Sequence, residues 1–205
     1  MKIYFDGDSW TWGGELEKEL RESQRFSRLV CEKMGAEENN LSRSGASNER
    51  IVRHLFVEND IAKYDLAIIQ MTYPSRTEYF HQEWRTVSIQ HTKLWKPWKP
   101  KRKKPSYVDP SKGMQREHED FWTYYYDKIY CEYYGSIKER IIYQIIKDHC
   151  KVNNVPLILM TNNNWDTDLK FDIELEHTRY SKAPNGHPNE EGHKQIADRI
   201  LSMLP

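Results

Sequence analysis

Two short apolar runs, "YDLAIIQM" (64–71) and "VPLILMT" (155–161), constrain this chain more than anything else in it. Each is bounded by polar segments, and neither alternates as a half-exposed strand would. Strands of that kind are covered on both faces. A third run, residues 2–6, places Ile3 and Phe5 on one face of a buried strand. Between them lie helical patterns. Residues 14–34 repeat Leu16, Leu20, Phe26, Leu29 and Val30 at helical spacing, and Gly35 stops them. Ser47 caps a helix reaching about Glu58, with Ile51 and Leu55 inward. Ser136 and Glu139 read as a capping box before the stripe Ile137, Ile141, Ile142, Ile145 and Ile146. A last helix starts near Asn189 and carries Ile196, Ala197, Ile200 and Leu201. Strands alternating with helices require crossover connections, so the expected fold is α/β, a mostly parallel sheet under helices on both faces. Ligands of such sheets bind beyond the carboxyl ends of the strands. That rim holds Ser9, the 42–47 loop and the 72–78 loop.

A chain of 205 residues suits a single domain with a full core. Lysine plus arginine and aspartate plus glutamate both number 31, which gives no overall bias towards nucleic acid or a membrane surface. Cys31, Cys131 and Cys150 are odd in number and widely spaced, so they form neither a zinc pattern nor a disulfide framework. No apolar run approaches the roughly 20 residues of a spanning helix. No secretory leader pattern precedes the first strand. The expected setting is cytoplasmic, with no metal and no cofactor. Residues 80–115 read as an insert. Within it, "KLWKPWKPKRKKP" is broken by Pro97, Pro100 and Pro105, and seven basic residues lie between Lys93 and Lys104. Interleaved Trp95 and Trp98 are the only hint of nucleic-acid binding, and a charge run of this kind is ordinarily a solvated feature. An aromatic helix, 116–134, follows where it could wall a cleft. Residues 162–186 are turn-rich and carry no assignable element.

The rim residues have complementary chemistry. Ser9, in "FDGDSW", follows a strand and precedes a helix. A serine hydroxyl needs a base to become a nucleophile, and an N–H at a helix start can hold an oxyanion. Gly45 precedes a helix, lets the backbone approach a ligand, and offers a second N–H. His187 stands two residues before the N-cap Asn189, where the helix dipole disfavours imidazolium, as suits a general base. Asp8 reads as a turn-forming residue that accepts from loop N–H groups.

"FDGDSW", "NLSRSG" and "GHPNEEGHKQIA", in that order, resemble three blocks of the SGNH/GDSL hydrolases. The resemblance covers about residues 1–75 and 136–205. It implies a flavodoxin-like three-layer α/β/α fold and a serine esterase. It maps the nucleophile to Ser9, the oxyanion glycine to Gly45 with Asn40 upstream, and the catalytic histidine to His187. Two departures stand out. The family's Gly-x-Asn-Asp block is replaced by "QMTYPSR", which leaves Thr72 or Arg76 as candidate oxyanion or substrate donors. The family's aspartate before the histidine is also missing. Pro184 and Asn185 occupy those places, and Asn185 is a candidate orienter of His187. Asp166, Asp168, Asp172 and Glu174 are alternative carboxylates, and a Ser–His dyad is another reading. Trp10 and Asn48 are candidate substrate contacts. Trp10 could equally be packing, and Asn48 could hold the rim loop. The substrate implied by the resemblance is a small acyl ester of a carbohydrate. A glycan-binding module without turnover is the alternative.

Overall fold

The computed structural model describes residues 1–81, 83–88, 116–162, 168–175, 180–184 and 186–204. Much of the basic insert, including 93–104, together with Asp166 and Asn185, lies outside the described residues.

Five parallel strands form the main sheet: β1 (Lys2–Asp6), β2 (Glu37–Asn40), β3 (Leu66–Met71), β6 (Leu157–Thr161) and β7 (Ile173–Glu174), in the order β2-β1-β3-β6-β7. Register follows from hydrophobic pattern, since a one-residue slip would turn every side chain to the other face. Ile3 pairs with Leu66 and Phe5 with Ile68; Ile68 then pairs with Ile158. Alternate residues feed two cores. Ile3, Phe5, Leu66, Ile68, Ile158 and Met160 face α3 (Phe26–Met34) and α7 (Glu190–Leu201). Tyr4, Ala67, Ile69, Met71 and Leu159 face α4 (Asn48–Arg53) and α6 (Glu132–Val152). All six residues of β3 are buried, as its unbroken apolar run requires. This is the three-layer α/β/α arrangement expected from the sequence.

Several boundaries differ from expectation. The 14–34 pattern divides into α2 (Lys18–Gln24) and α3, with Arg25 extended between them, and a separate single turn, α1 (Ser9–Trp12), precedes it. The 48–58 helix widens into π turns over His54–Glu58. Ser136 and Glu139 do not form a capping box: α6 already starts at Glu132, capped by the Cys131 Sγ. Gly135 therefore lies inside the helix, where the Tyr130 ring packs against it and leaves no room for a Cβ. Residues read as irregular form a hairpin, β4 (Thr77–His81) and β5 (Glu83–Val87). It joins α5 (Arg116–Tyr124) through a small core of Val87, Trp122 and Tyr126, with the Tyr126 hydroxyl donating to the Ser75 carbonyl at 2.6 Å. No described helix is long and apolar enough to cross a membrane.

Candidate active site

Leaving aside the hairpin, the sheet order is the doubly wound one in which the chain leaves β1 in one direction and β3 in the other. The crevice beyond β1 and β3 is where such sheets bind ligands. Ser9 stands there, immediately after β1. Its Oγ lies 2.8 Å from Nε2 of His187, at hydrogen-bond distance. The two residues come from opposite ends of the chain, and each is placed by local chemistry.

At Ser9 the chain turns from strand to a single helical turn. Gly7 is required because a Cβ there would lie 2.5 Å from Thr11 Oγ1 and 2.9 Å from Gln70. Asp8 caps the turn by accepting from the Trp10 N–H at 3.0 Å. Its buried carboxylate also accepts from Gln70 Nε2 (2.9 Å), Thr72 Oγ1 (3.0 Å), Asn162 Nδ2 (3.3 Å) and an Arg76 guanidinium N–H (2.7 Å). Burial alone would raise its pKa, but the Arg76 charge and the bonds from Trp10, Arg76 and Gln70 prevail and lower it. Asp8 is thus ionised and structural, welding the Ser9 turn to the ends of β3 and β6. Gln70 completes the weld by accepting from both the Thr11 N–H and its hydroxyl. Two residues before Asp8, buried Asp6 accepts from the Gly7 N–H at 2.8 Å and from Tyr4, and meets His54 Nδ1 at 2.8 Å.

His187 precedes α7, whose N-cap Asn189 accepts from the Gly192 N–H at 2.9 Å. Backbone bonds hold its loop: Ala183 N–H to the His187 carbonyl, Gly186 N–H to the Ala183 carbonyl, and Asn189 N–H to the Ser181 carbonyl. The ring lies 6.4 Å from that of Trp10, centroid to centroid. Its Nδ1 is 2.9 Å from Glu15 Oε1, with the ring N–H out of line with that oxygen; the contact is electrostatic rather than a well-formed hydrogen bond.

Gly45 has φ +77° and open space around a notional Cβ, so left-handed backbone, not crowding, is what demands glycine. The Arg43 N–H donates to the Gly7 carbonyl at 3.2 Å and Leu41 N–H to the Phe5 carbonyl at 2.9 Å, so this loop is stitched along the Ser9 turn. Asn40 anchors its start, accepting from the Ser42 N–H and donating to Ser27 Oγ and the Thr11 carbonyl.

The other candidates are committed elsewhere. The Thr72 N–H donates to Asn48 Oδ1 (2.8 Å) and its hydroxyl to Asp8, so both of its donors are spent. Asn48 returns a bond from Nδ2 to the Thr72 carbonyl at 2.9 Å; both ends of its amide hold the rim loop rather than a ligand. Arg76 is a clamp on Asp8, Thr72 and the Ala46 carbonyl, with its side chain 15% exposed. Trp10 is buried in the core beneath the histidine, and Trp12 stacks on Arg21 instead. Asp172 accepts from the Leu159 N–H, Asp168 pairs with Arg140, and Glu174 lies on β7. Among the described residues no cluster of His, Cys, Asp and Glu could hold a metal ion.

Sequence reasoning missed Glu15, Gln70, Asp6 and Asn162. A glutamine ending an apolar strand was the available signal for Gln70. For Glu15 it was the Gly13-Gly14 pair before it, which reverses the chain.

The chain aligns over 98% of its length with 94% of a psychrotrophic esterase, EstA from Pseudoalteromonas sp., in a structure inhibited by monoethylphosphonate, at a TM-score of 0.50 and 11% identity. The fold is SGNH/GDSL hydrolase-like. A protein assigned to the lipolytic G-D-S-L family, from Desulfitobacterium hafniense DCB-2, aligns over 99% of both chains at a TM-score of 0.43 and 14% identity. No family model matches this chain, and no curated protein matches it by sequence.

Proposed function

We propose that this protein is a serine esterase of the SGNH/GDSL type. The observation that carries the reading is the 2.8 Å bond from Ser9 Oγ to His187 Nε2 at the β1/β3 crevice. The fold neighbour that is an esterase, seen with a phosphonate inhibitor, supports it. Ser9 Oγ attacks the ester carbonyl carbon while its proton passes to His187 Nε2. The carbonyl π electrons move to oxygen, and that oxyanion is held by the N–H groups of Ser9 and Gly45. The C–O bond to the alcohol then breaks, and the leaving oxygen takes the proton from Nε2. Water, deprotonated by the same nitrogen, clears the acyl-enzyme. The proposed substrates are short-acyl esters of polar, carbohydrate-like alcohols. The family resemblance and the chain's polar, aromatic composition support that choice.

The test is labelling with a fluorophosphonate and mapping of the modified peptide. The adduct is expected on Ser9, to be absent in Ser9→Ala, and to form at least about 100-fold more slowly in His187→Ala. A folded protein that takes no adduct on Ser9 refutes the reading and leaves a ligand-binding module. Turnover of acetylated oligosaccharides above that of longer-chain aryl esters checks the substrate class.

A further inference from the structure

We infer that Glu15 is the residue that positions His187 and stabilises its charged form, in the place of the aspartate missing before the histidine. The inference rests on the Ser9–His187 reading. Four observations converge on it. Glu15 Oε1 lies 2.9 Å from Nδ1, the ring nitrogen opposite the one that faces Ser9. The carboxylate is sheltered, with its side chain 19% exposed.

The turn that carries it is rigid. α1 ends after one turn at Gly13, whose φ of +79° is left-handed. The Gly14 N–H donates to the Ser9 carbonyl at 2.7 Å, and the Leu16 N–H to the Gly13 carbonyl at 3.2 Å. Arg21, stacked on Trp12, donates from Nε to the Gly13 carbonyl at 3.0 Å and from its guanidinium to the Leu16 carbonyl at 3.4 Å. Leu16 itself is buried. Glu15 is therefore pinned on both sides before it meets the histidine.

Finally, glycine at 14 lets this path pass close to Ser9: a Cβ there would lie 3.1 Å from Ser9 Cβ and 3.2 Å from Ser9 O, so the turn would have to give by tenths of an ångström. The segment "SWTWGGE" is one cassette that delivers nucleophile and acid together, and the far end of the chain supplies only the base. During attack the proton moves from Ser9 Oγ to Nε2 and the Nδ1 proton stays on the ring. Glu15 takes no proton; it favours the tautomer with Nδ1–H and offsets the imidazolium charge. The carboxylate is out of line in the resting state, and a small rotation aligns it as the charge develops.

The experiment compares wild type, Glu15→Gln, Glu15→Asp and Ser9→Ala in fluorophosphonate labelling rate and in steady-state hydrolysis of an aryl acetate, with thermal unfolding alongside. Glu15→Gln, nearly isosteric, is expected to lower the labelling rate and kcat by about 100-fold, with KM changed less than about threefold and the unfolding temperature held. Glu15→Asp, which keeps the charge on a shorter arm, is expected to recover at least about tenfold of that loss. Wild-type labelling and kcat in folded Glu15→Gln, with Ser9→Ala inactive, overturns the role of Glu15 and spares the esterase reading. Equal loss in Gln and Asp variants also overturns it, since charge would then not be what matters. Failure of wild type to label on Ser9 overturns both.

Discussion

Acid should weaken this protein through a histidine that takes no part in the proposed chemistry. His193 on α7 is fully buried, stacked on Phe26 with ring centroids 5.8 Å apart. Its Nδ1 accepts from the Phe26 N–H at 3.2 Å, which puts the ring proton on Nε2, where it meets no acceptor among the described residues. A second proton would have to displace the Phe26 bond. Burial, and then repulsion from a charged His187, pushes the His193 pKa down to about 3 from 6.5. The folded state therefore binds fewer protons than the unfolded state between those values. Stability is fully present above about pH 6.5 and falls by roughly 1 kcal/mol per pH unit as pH drops below it. Between about pH 7.5 and 4.5 the expected loss from this one group is about 2–3 kcal/mol. Asp8 works in the same sense but lower on the pH scale: its pKa is lowered from 3.8, so its contribution to stability stays nearly constant across that window and is lost only below it. His193→Asn keeps an acceptor for the Phe26 N–H and removes the titration. Urea unfolding at several pH values, with m checked for constancy, gives the stability gap between wild type and variant. Wild type leads at pH 7.5 by the packing lost with the ring, and that lead should shrink by about 2–3 kcal/mol at pH 4.5. A gap that stays the same at both ends would show that the ring protonates as readily folded as unfolded, and would refute the argument.

Asp8→Asn should cost about 3–5 kcal/mol in urea unfolding, because it strands the Arg76 guanidinium and breaks a set of bonds joining three strands; a cost under about 1 kcal/mol would contradict the weld described for this carboxylate. Gly14→Ala should leave the unfolding temperature within a few degrees yet slow Ser9 labelling by about tenfold or more, since the added methyl presses on Ser9 Cβ and shifts the Ser9 hydroxyl by tenths of an ångström. An unchanged labelling rate would mean that the turn gives way without moving Ser9.

The layers of the fold were legible because their causes are local. Unbroken apolar strands and amphipathic helices can bury themselves in few ways, and "FDGDSW", Gly45 and "GHPNEEGH" lie where the chain leaves or enters elements, so their place on the rim follows from topology. Ser47 and Asn189 cap as their residue types predict. Element edges were less legible. Cys131 is a weak cap that no propensity favours, and the capping box at Ser136 lost to a helix already under way. Thr72, Arg76 and Asn48 show what the sequence leaves open on the rim: buried polar atoms bond to whatever lies nearest, and here Asp8 and the Thr72 backbone lie nearest. What the sequence by itself determined is the layered sheet, the Ser9 turn and the histidine before α7, all set by neighbours a few residues away. Only the tertiary structure decided which carboxylate stands behind that histidine. Glu15 and His187 sit near opposite ends of the chain, and no periodicity or cap couples them. Their meeting depends on a left-handed turn at Gly13 and on the packing of α7 against the first strand's face, which exist only once the sheet has closed.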